Sequence, residues 1–372
     1  MFAKLSVSAA SAAIIAAAAT AGLIPGPASA ASAPLSDARI AVHFDLAVGQ
    51  TPENIALAPG GAEDVTFAIA RQVAEISAAG AIRILATLPL PADGGVNTPV
   101  LGLPATMGIV RAADGTLYFL YDTGTADLTG VWRLRPGGRP QRIAPLPANG
   151  LPNGLALDPQ SQTLYVTDSV LGTIWSVPVT GGTPVAWSTA PQLAPAGSLG
   201  ANGLKVHDGA VWVTNLGEGT ILRIPILQNG RAGNVGTEAT GLPGIDDFAF
   251  TGCGDQLLAA LNPPSEVALV QPDGSHSIVL TMANGLDNPT SVALRGNTVY
   301  VMSAAYTTGD DPNMIIAHFQ QLDRNLRRVM WVDHGAPVER GRPLRETSDF
   351  PRSPVRRGHP SMHIFIGAMV SR

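Results

Sequence analysis

Six short stretches of this chain repeat one another at nearly equal intervals, and that periodicity limits the possible fold more than any other feature. They are Glu53-Asn-Ile-Ala-Leu, Met107-Gly-Ile-Val-Arg, Asn153-Gly-Leu-Ala-Leu, Asn202-Gly-Leu-Lys-Val, Asp246-Asp-Phe-Ala-Phe and Thr290-Ser-Val-Ala-Leu. Their first residues lie 54, 46, 49, 44 and 44 positions apart. A repeat of about 40–50 residues built from short strands points to a propeller or array, because each unit buries its apolar face only against its neighbours.

Each repeat reads as four strands. In the third, Gly154–Leu157 is a short inner strand and Asp158-Pro-Gln-Ser a turn. Thr163–Thr167, Thr173–Pro178 and a segment around Pro184–Ser188 follow as the second, third and fourth strands. The fourth repeat copies this order with Gly203–Val206, Ala210–Thr214 and Thr220–Pro225. The second strand recurs as Thr116–Leu120, Gln256–Ala260 and Thr298–Met302. The first repeat is the least regular, with Asp64–Ala68 and Val73–Ser77. Runs of β-formers between turn residues carry the strand pattern, and 41 Gly with 31 Pro suit a chain with many turns. Six such units predict an all-β, six-bladed β-propeller of four-stranded blades, about 24 strands around a central channel. A strand at Arg39–Phe44 precedes the first repeat. It is expected to pair with the last blade and close the ring, which removes an open sheet edge.

The flanks differ from the repeats. Residues 1–30 carry Lys4, an Ala/Ile-rich apolar run from Ala9 to Ile24, a Pro-Gly-Pro break and Ala28-Ser-Ala30. Those are the parts of a cleavable secretory signal peptide, so export is expected. No later apolar stretch is long enough to span a bilayer. Residues 31–320 hold 12 basic and 23 acidic residues, whereas residues 321–372 hold 10 basic and 5 acidic. The body therefore offers no basic stripe to nucleic acid. The last segment reads as an irregular, disordered basic tail. Its edge and interior hold His318, His334, His359 and His363, whose spacing matches no metal motif. Cys253 is the single cysteine, which excludes an internal disulfide, and no matched position offers it a partner base. The propeller is thus placed at 31–320, and a monomer is expected.

The inner strands of a propeller all start on one face, so residues at matched starts converge on the axis. Glu53, Asn153, Asn202 and Asp246 occupy that position in four blades. Two carboxylates and two amide oxygens give a hard, all-oxygen donor set with a charge that balances a divalent cation. Ca²⁺ suits it best, with Mg²⁺ or Mn²⁺ as alternatives. An Asn-Gly or Asp at a strand start also serves in turns, but Glu53 is a poor turn residue. Asp122, Asp168, Asn215 and Asn262 follow the second strands on the same face. They are candidates for substrate contact or for hairpin turn chemistry.

Pro152-Asn-Gly-Leu-Ala-Leu-Asp158, Leu164-Tyr-Val-Thr-Asp168 and Ala201-Asn-Gly-Leu-Lys-Val206 resemble the senescence marker protein/gluconolactonase family, over about residues 50–318. The resemblance implies a six-bladed propeller with one divalent ion. It matches Glu53, Asn202 and Asp246 to the ion's ligands, Asp246 also to the general base, and Asn153 to a further Asn facing metal and substrate. Two positions depart from the family. Leu151 stands where sugar-lactone members carry Arg, and Asp247 stands where Gly usually follows the Asp. The first tilts the substrate toward an apolar lactone or ester. The second leaves open which of Asp246 and Asp247 faces the ion.

The leading expectation is therefore a secreted, cation-dependent lactonase or esterase, in which the ion polarises the carbonyl and Asp246 activates water. The alternatives are a ligand- or protein-binding propeller with a structural ion, and a tailoring enzyme of natural-product metabolism resembling strictosidine synthase.

Overall fold

A computed structural model describes residues 33–197 and 199–320, in which the chain forms six four-stranded antiparallel sheets. The innermost strands are Pro52–Leu57, Ala105–Arg111, Pro152–Asp158, Ala201–His207, Ile245–Phe250 and Pro289–Arg295. Each lies beside the innermost strands of the two adjacent blades, and the sixth lies beside the first. The protein is a six-bladed propeller. The expected signal peptide at 1–30 and the basic segment at 321–372 lie outside the described residues. No helix among the described residues is long and apolar enough to cross a membrane.

The strand pattern follows from burial on two sides. Along Leu117–Asp122, Tyr118 and Leu120 enter the core shared with the third blade, while Leu117, Phe119 and Tyr121 face the first. Every blade is sandwiched in this way, so the molecule has six interblade cores rather than one centre. This is why the second strands read as nearly continuous apolar runs, whereas a half-solvated strand alternates. Each fully buried Leu, Ile, Val or Phe side chain contributes about 1.5–3 kcal/mol of transfer free energy.

The ring closes as the sequence predicts. Leu35–His43 forms the outer strand of the sixth blade, in antiparallel register from Leu35↔Phe319 to His43↔Asn313. Arg295 adds a second link across the same joint, donating to Glu63 (3.0 Å) and to the carbonyls of Ala58 (2.8 Å) and Ala62 (2.6 Å) in the first blade. Strand limits fall close to the expected ones. Thr173–Pro178 and Thr220–Pro225 coincide, while the predicted Gly154–Leu157 is longer at both ends, as Pro152–Asp158.

Candidate functional site

The repeated sequence motif is a repeated β-bulge. In the first blade the pairing steps from Pro52↔Phe67 to Asn54↔Thr66, which leaves Glu53 as an extra residue. The same one-residue excess occurs between Pro152 and Leu155, Ala201 and Leu204, and Ile245 and Phe248. Those interruptions contain Asn153, Asn202 and Asp246. A bulge kinks its strand and re-aims a side chain, and here it does so on the face where the innermost strands begin.

Gly154 and Gly203, which follow the bulge residues Asn153 and Asn202, are not turn residues, and neither has a positive φ. They permit close approach between blades. A Cβ on Gly154 would stand 2.3 Å from the backbone oxygen of Asn202, and one on Gly203 would stand 2.6 Å from Asp247 Cα. Threonine hydroxyls in the second strands complete the contact. Thr66 donates to the Met107 carbonyl (2.7 Å), Thr167 to that of Asn202, and Thr214 to that of Asp246 (2.6 Å). Each hydroxyl thus fixes the bulge of the next blade. Sequence reading missed these threonines, although their recurrence in Val65-Thr, Val166-Thr and Val213-Thr is a signal.

Glu53, Asn153, Asn202 and Asp246 are all buried. Asp246 Oδ2 accepts from Asn262 Nδ2 (3.1 Å), and Glu53 Oε2 accepts from the Tyr306 hydroxyl (2.5 Å). Tyr306 as a residue is 41% exposed, but its hydroxyl turns inward onto the carboxylate. Tyr306 lies in a connection outside the repeat, which is why the motif did not reveal it. Burial pushes the Glu53 carboxyl up to about 7, with the Asp247 charge adding to the rise and the Tyr306 hydrogen bond opposing it. Asp246 is held well above the usual carboxylate range, first by burial and then by the charges of Glu53 and Asp247. Two buried carboxylates therefore lie close to one another, and neither has a cationic side-chain partner among the described residues. Beside them, Asn202 Oδ1 is buried and has no hydrogen-bond partner. An orphaned buried acceptor costs about 1–3 kcal/mol. This set of oxygens fits a hard divalent cation.

Asp247 is placed differently. Lys205 Nζ lies 2.6 Å from both of its carboxylate oxygens, and Asn54 Nδ2 donates to Oδ2 at 3.0 Å. Its charge is already compensated, whereas that of Asp246 is not. Beyond this pair the innermost strands open on the opposite face into a hollow lined by Ile55, Leu57, Ile109, Leu155, Leu157 and Lys205.

The four residues that end or follow the second strands separate. Asn262 joins the axial group through Asp246. Asp168 is fully buried, and its Oδ1 accepts from the backbone N–H groups of Leu151 (2.9 Å), Val170 (3.2 Å) and Leu171 (2.9 Å). Asn215 donates to the carbonyls of Gln192 and Ala194 (both 2.9 Å) and accepts from Glu218 N (3.1 Å). Both residues spend their hydrogen bonds on nearby loops. Asp122 is fully buried, and burial with the nearby Asp168 charge pushes it up to about 8, against weak opposition from the backbone N–H groups of Gly124 and Thr123. Leu151 is 1% exposed, so position 151 presents no side chain to a ligand.

Residues 109–232, which span the second to fourth blades, match the family model for the SMP-30/Gluconolactonase/LRE-like region. This stretch is an SMP-30/gluconolactonase-like region. It holds two of the four bulge residues, Asn153 and Asn202. Solved structures resembling the whole propeller are distant in sequence. A putative gluconolactonase is 16% identical with a TM-score of 0.55, covering 76% of this chain and 92% of that one. Virginiamycin B lyase from Staphylococcus aureus, with quinupristin, is 16% identical with a TM-score of 0.53, covering 73% and 82%. The PQQ-bound aldose sugar dehydrogenase of Streptomyces coelicolor is 15% identical with a TM-score of 0.53, covering 77% and 99%. At this identity the three share the fold with the chain. No curated protein matches it by sequence.

Proposed function

We propose that the protein is an exported hydrolase of a lactone or ester that works with a divalent cation at the propeller axis, Ca²⁺ ahead of Mg²⁺ or Mn²⁺. The observation that carries this reading is the partnerless Asn202 Oδ1 beside the uncompensated carboxylates of Glu53 and Asp246. Glu53, Asn153, Asn202 and Asp246 would hold the ion, which supplies Lewis acidity toward a carbonyl oxygen. Asp246 is the general base. Asn262 donates to its Oδ2 and Asn202 also hydrogen-bonds the carboxylate, which fixes its orientation. Burial makes this carboxylate a stronger base than an exposed one, and a positive charge on the axis keeps it ionised at neutral pH. Tyr306 holds Glu53 in one orientation.

Apolar substrates are favoured by the surroundings. Ile69, Leu90, Val96, Val100, Leu171 and Tyr306 are exposed, and all lie in connections on the face where the innermost strands begin.

Calorimetric titration with Ca²⁺ tests the site. One equivalent bound by the parent and lost in Glu53→Gln supports it, and no binding of Ca²⁺, Mg²⁺ or Mn²⁺ rejects it. A lactone and ester screen then tests the chemistry. Turnover that is lost on chelation, and also in Asp246→Asn with the ion retained, supports the assigned base. Undiminished turnover in that variant rejects the assignment.

A further inference from the structure

We propose a second metal site, for a borderline divalent ion such as Zn²⁺, on the face opposite the axial cluster and between the fourth and fifth blades. Its ligands are His207, Asp208 and Asp255. One ligand atom from each lies within 4.8 Å of the other two. His207 Nε2 and Asp255 Oδ1 are 3.0 Å apart.

The backbone at each ligand is set by structure that does not depend on an ion. His207 is the last residue of Ala201–His207, and its ring is stacked on Phe250 (centroids 3.9 Å apart, planes at 21°) with Trp212 edge-on at 6.2 Å. That packing sets where Nε2 points. Asp208 and Gly209 form the two-residue turn closed by the His207↔Ala210 pair, with φ of 47° and 65°. Positive φ at both positions is the tight hairpin geometry that matches strand twist, so the backbone of Asp208 is fixed next to His207. Asp255 belongs to a turn closed by the bond from Thr251 N to Gln256 O (2.9 Å).

The donors select the ion. Two carboxylates balance a divalent charge, and an imidazole nitrogen favours zinc-like ions over Ca²⁺ or Mg²⁺. Zinc bonds of about 2.0–2.2 Å in a tetrahedral site put ligand atoms roughly 3.3 Å apart, close to the 3.0 Å of the His207–Asp255 hydrogen bond, whose proton the ion would replace. The three ligands leave the fourth position to water. Because two ligands come from the fourth blade and one from the fifth, the ion would staple adjacent blades.

The test is Zn²⁺ titration of the full-length chain by calorimetry, with Co²⁺ absorption as a second readout of coordination. The proposal expects one Zn²⁺ equivalent in the parent, the same equivalent in Glu53→Gln, and its loss in His207→Ala. The double variant Asp208→Asn/Asp255→Asn leaves the ring stack intact and is expected to lose the same equivalent, the visible Co²⁺ bands and any Zn²⁺-dependent rise in Tm. No Zn²⁺ bound by the parent overturns the proposal. So does an equivalent that survives in both His207→Ala and the double variant, which would place the ion on other histidines, or one that disappears in Glu53→Gln, which would place it at the axis.

Discussion

Asp246 and Asp247 are adjacent carboxylates with opposite surroundings, and the difference comes from one cation. Lys205 neutralises Asp247, while Asp246 shares its region with Glu53. Protons therefore compete with any axial ion. With its pKa raised to about 7, Glu53 favours the protonated folded state, and that contribution is lost as pH rises from about 4.5 through 7. A bound cation reverses the effect. Chelation should thus lower Tm little at pH 5 and substantially at pH 8, which scanning calorimetry at the two pH values checks. Asp122 behaves similarly without an ion. Its carboxyl, raised to about 8, keeps a proton that the unfolded chain releases above about pH 4. Asp122→Asn should match the parent in Tm near pH 4 and exceed it increasingly up to pH 8. The limiting slope is about 1.4 kcal/mol per pH unit, and thermal melts across that range measure it. How far such residues were legible in the sequence depended on where they sit. Glu53, Asn202 and Asp246 recur in register, so the repeat exposed them. Asp168 and Asn215 also recur, but Asp and Asn cap turns as readily as they meet ligands, and only their hydrogen bonds distinguish the two roles. Tyr306 reaches Glu53 from across 253 positions of chain, beyond the reach of any local pattern.

The bulge is the element that turns a repeated strand into a candidate site. Its extra residue projects toward the axis, the following glycine lets the next blade approach, and a threonine of the second strand fastens the neighbour. Period and strand type were readable because both are local. The bulge was not, because it is a mismatch between two strands rather than a property of either. Gly154→Ala would place a methyl group 2.3 Å from Asn202 O. Overpacking of this kind typically costs about 1–3 kcal/mol. Here it should also displace Asn202, so denaturant melts should show the loss and calcium affinity should fall with it. Thr214→Val removes only the hydroxyl that holds the Asp246 carbonyl. It should cost about 1 kcal/mol, the usual net worth of a hydrogen bond, which the same melts would register.

The whole molecule depends on a joint between its two ends. Leu35–His43 completes a blade whose other three strands come from residues 289–319, so one blade carries both ends of the ring. Deleting residues 33–43 would leave Asn313–Phe319 as an unpaired edge and uncover Ile315 and Phe319. An unprotected edge of this kind templates association. The truncated chain should show a lower Tm and concentration-dependent oligomers by light scattering, while the parent should not. One carboxylate also joins three blades. Lys205 of the fourth blade pairs with Asp247 of the fifth, and Asn54 of the first donates to the same carboxylate, between the carboxylate cluster on one side and the hollow on the other. Asp247 is accordingly a hub on which three of the six blades converge, tying together segments that lie up to 193 positions apart.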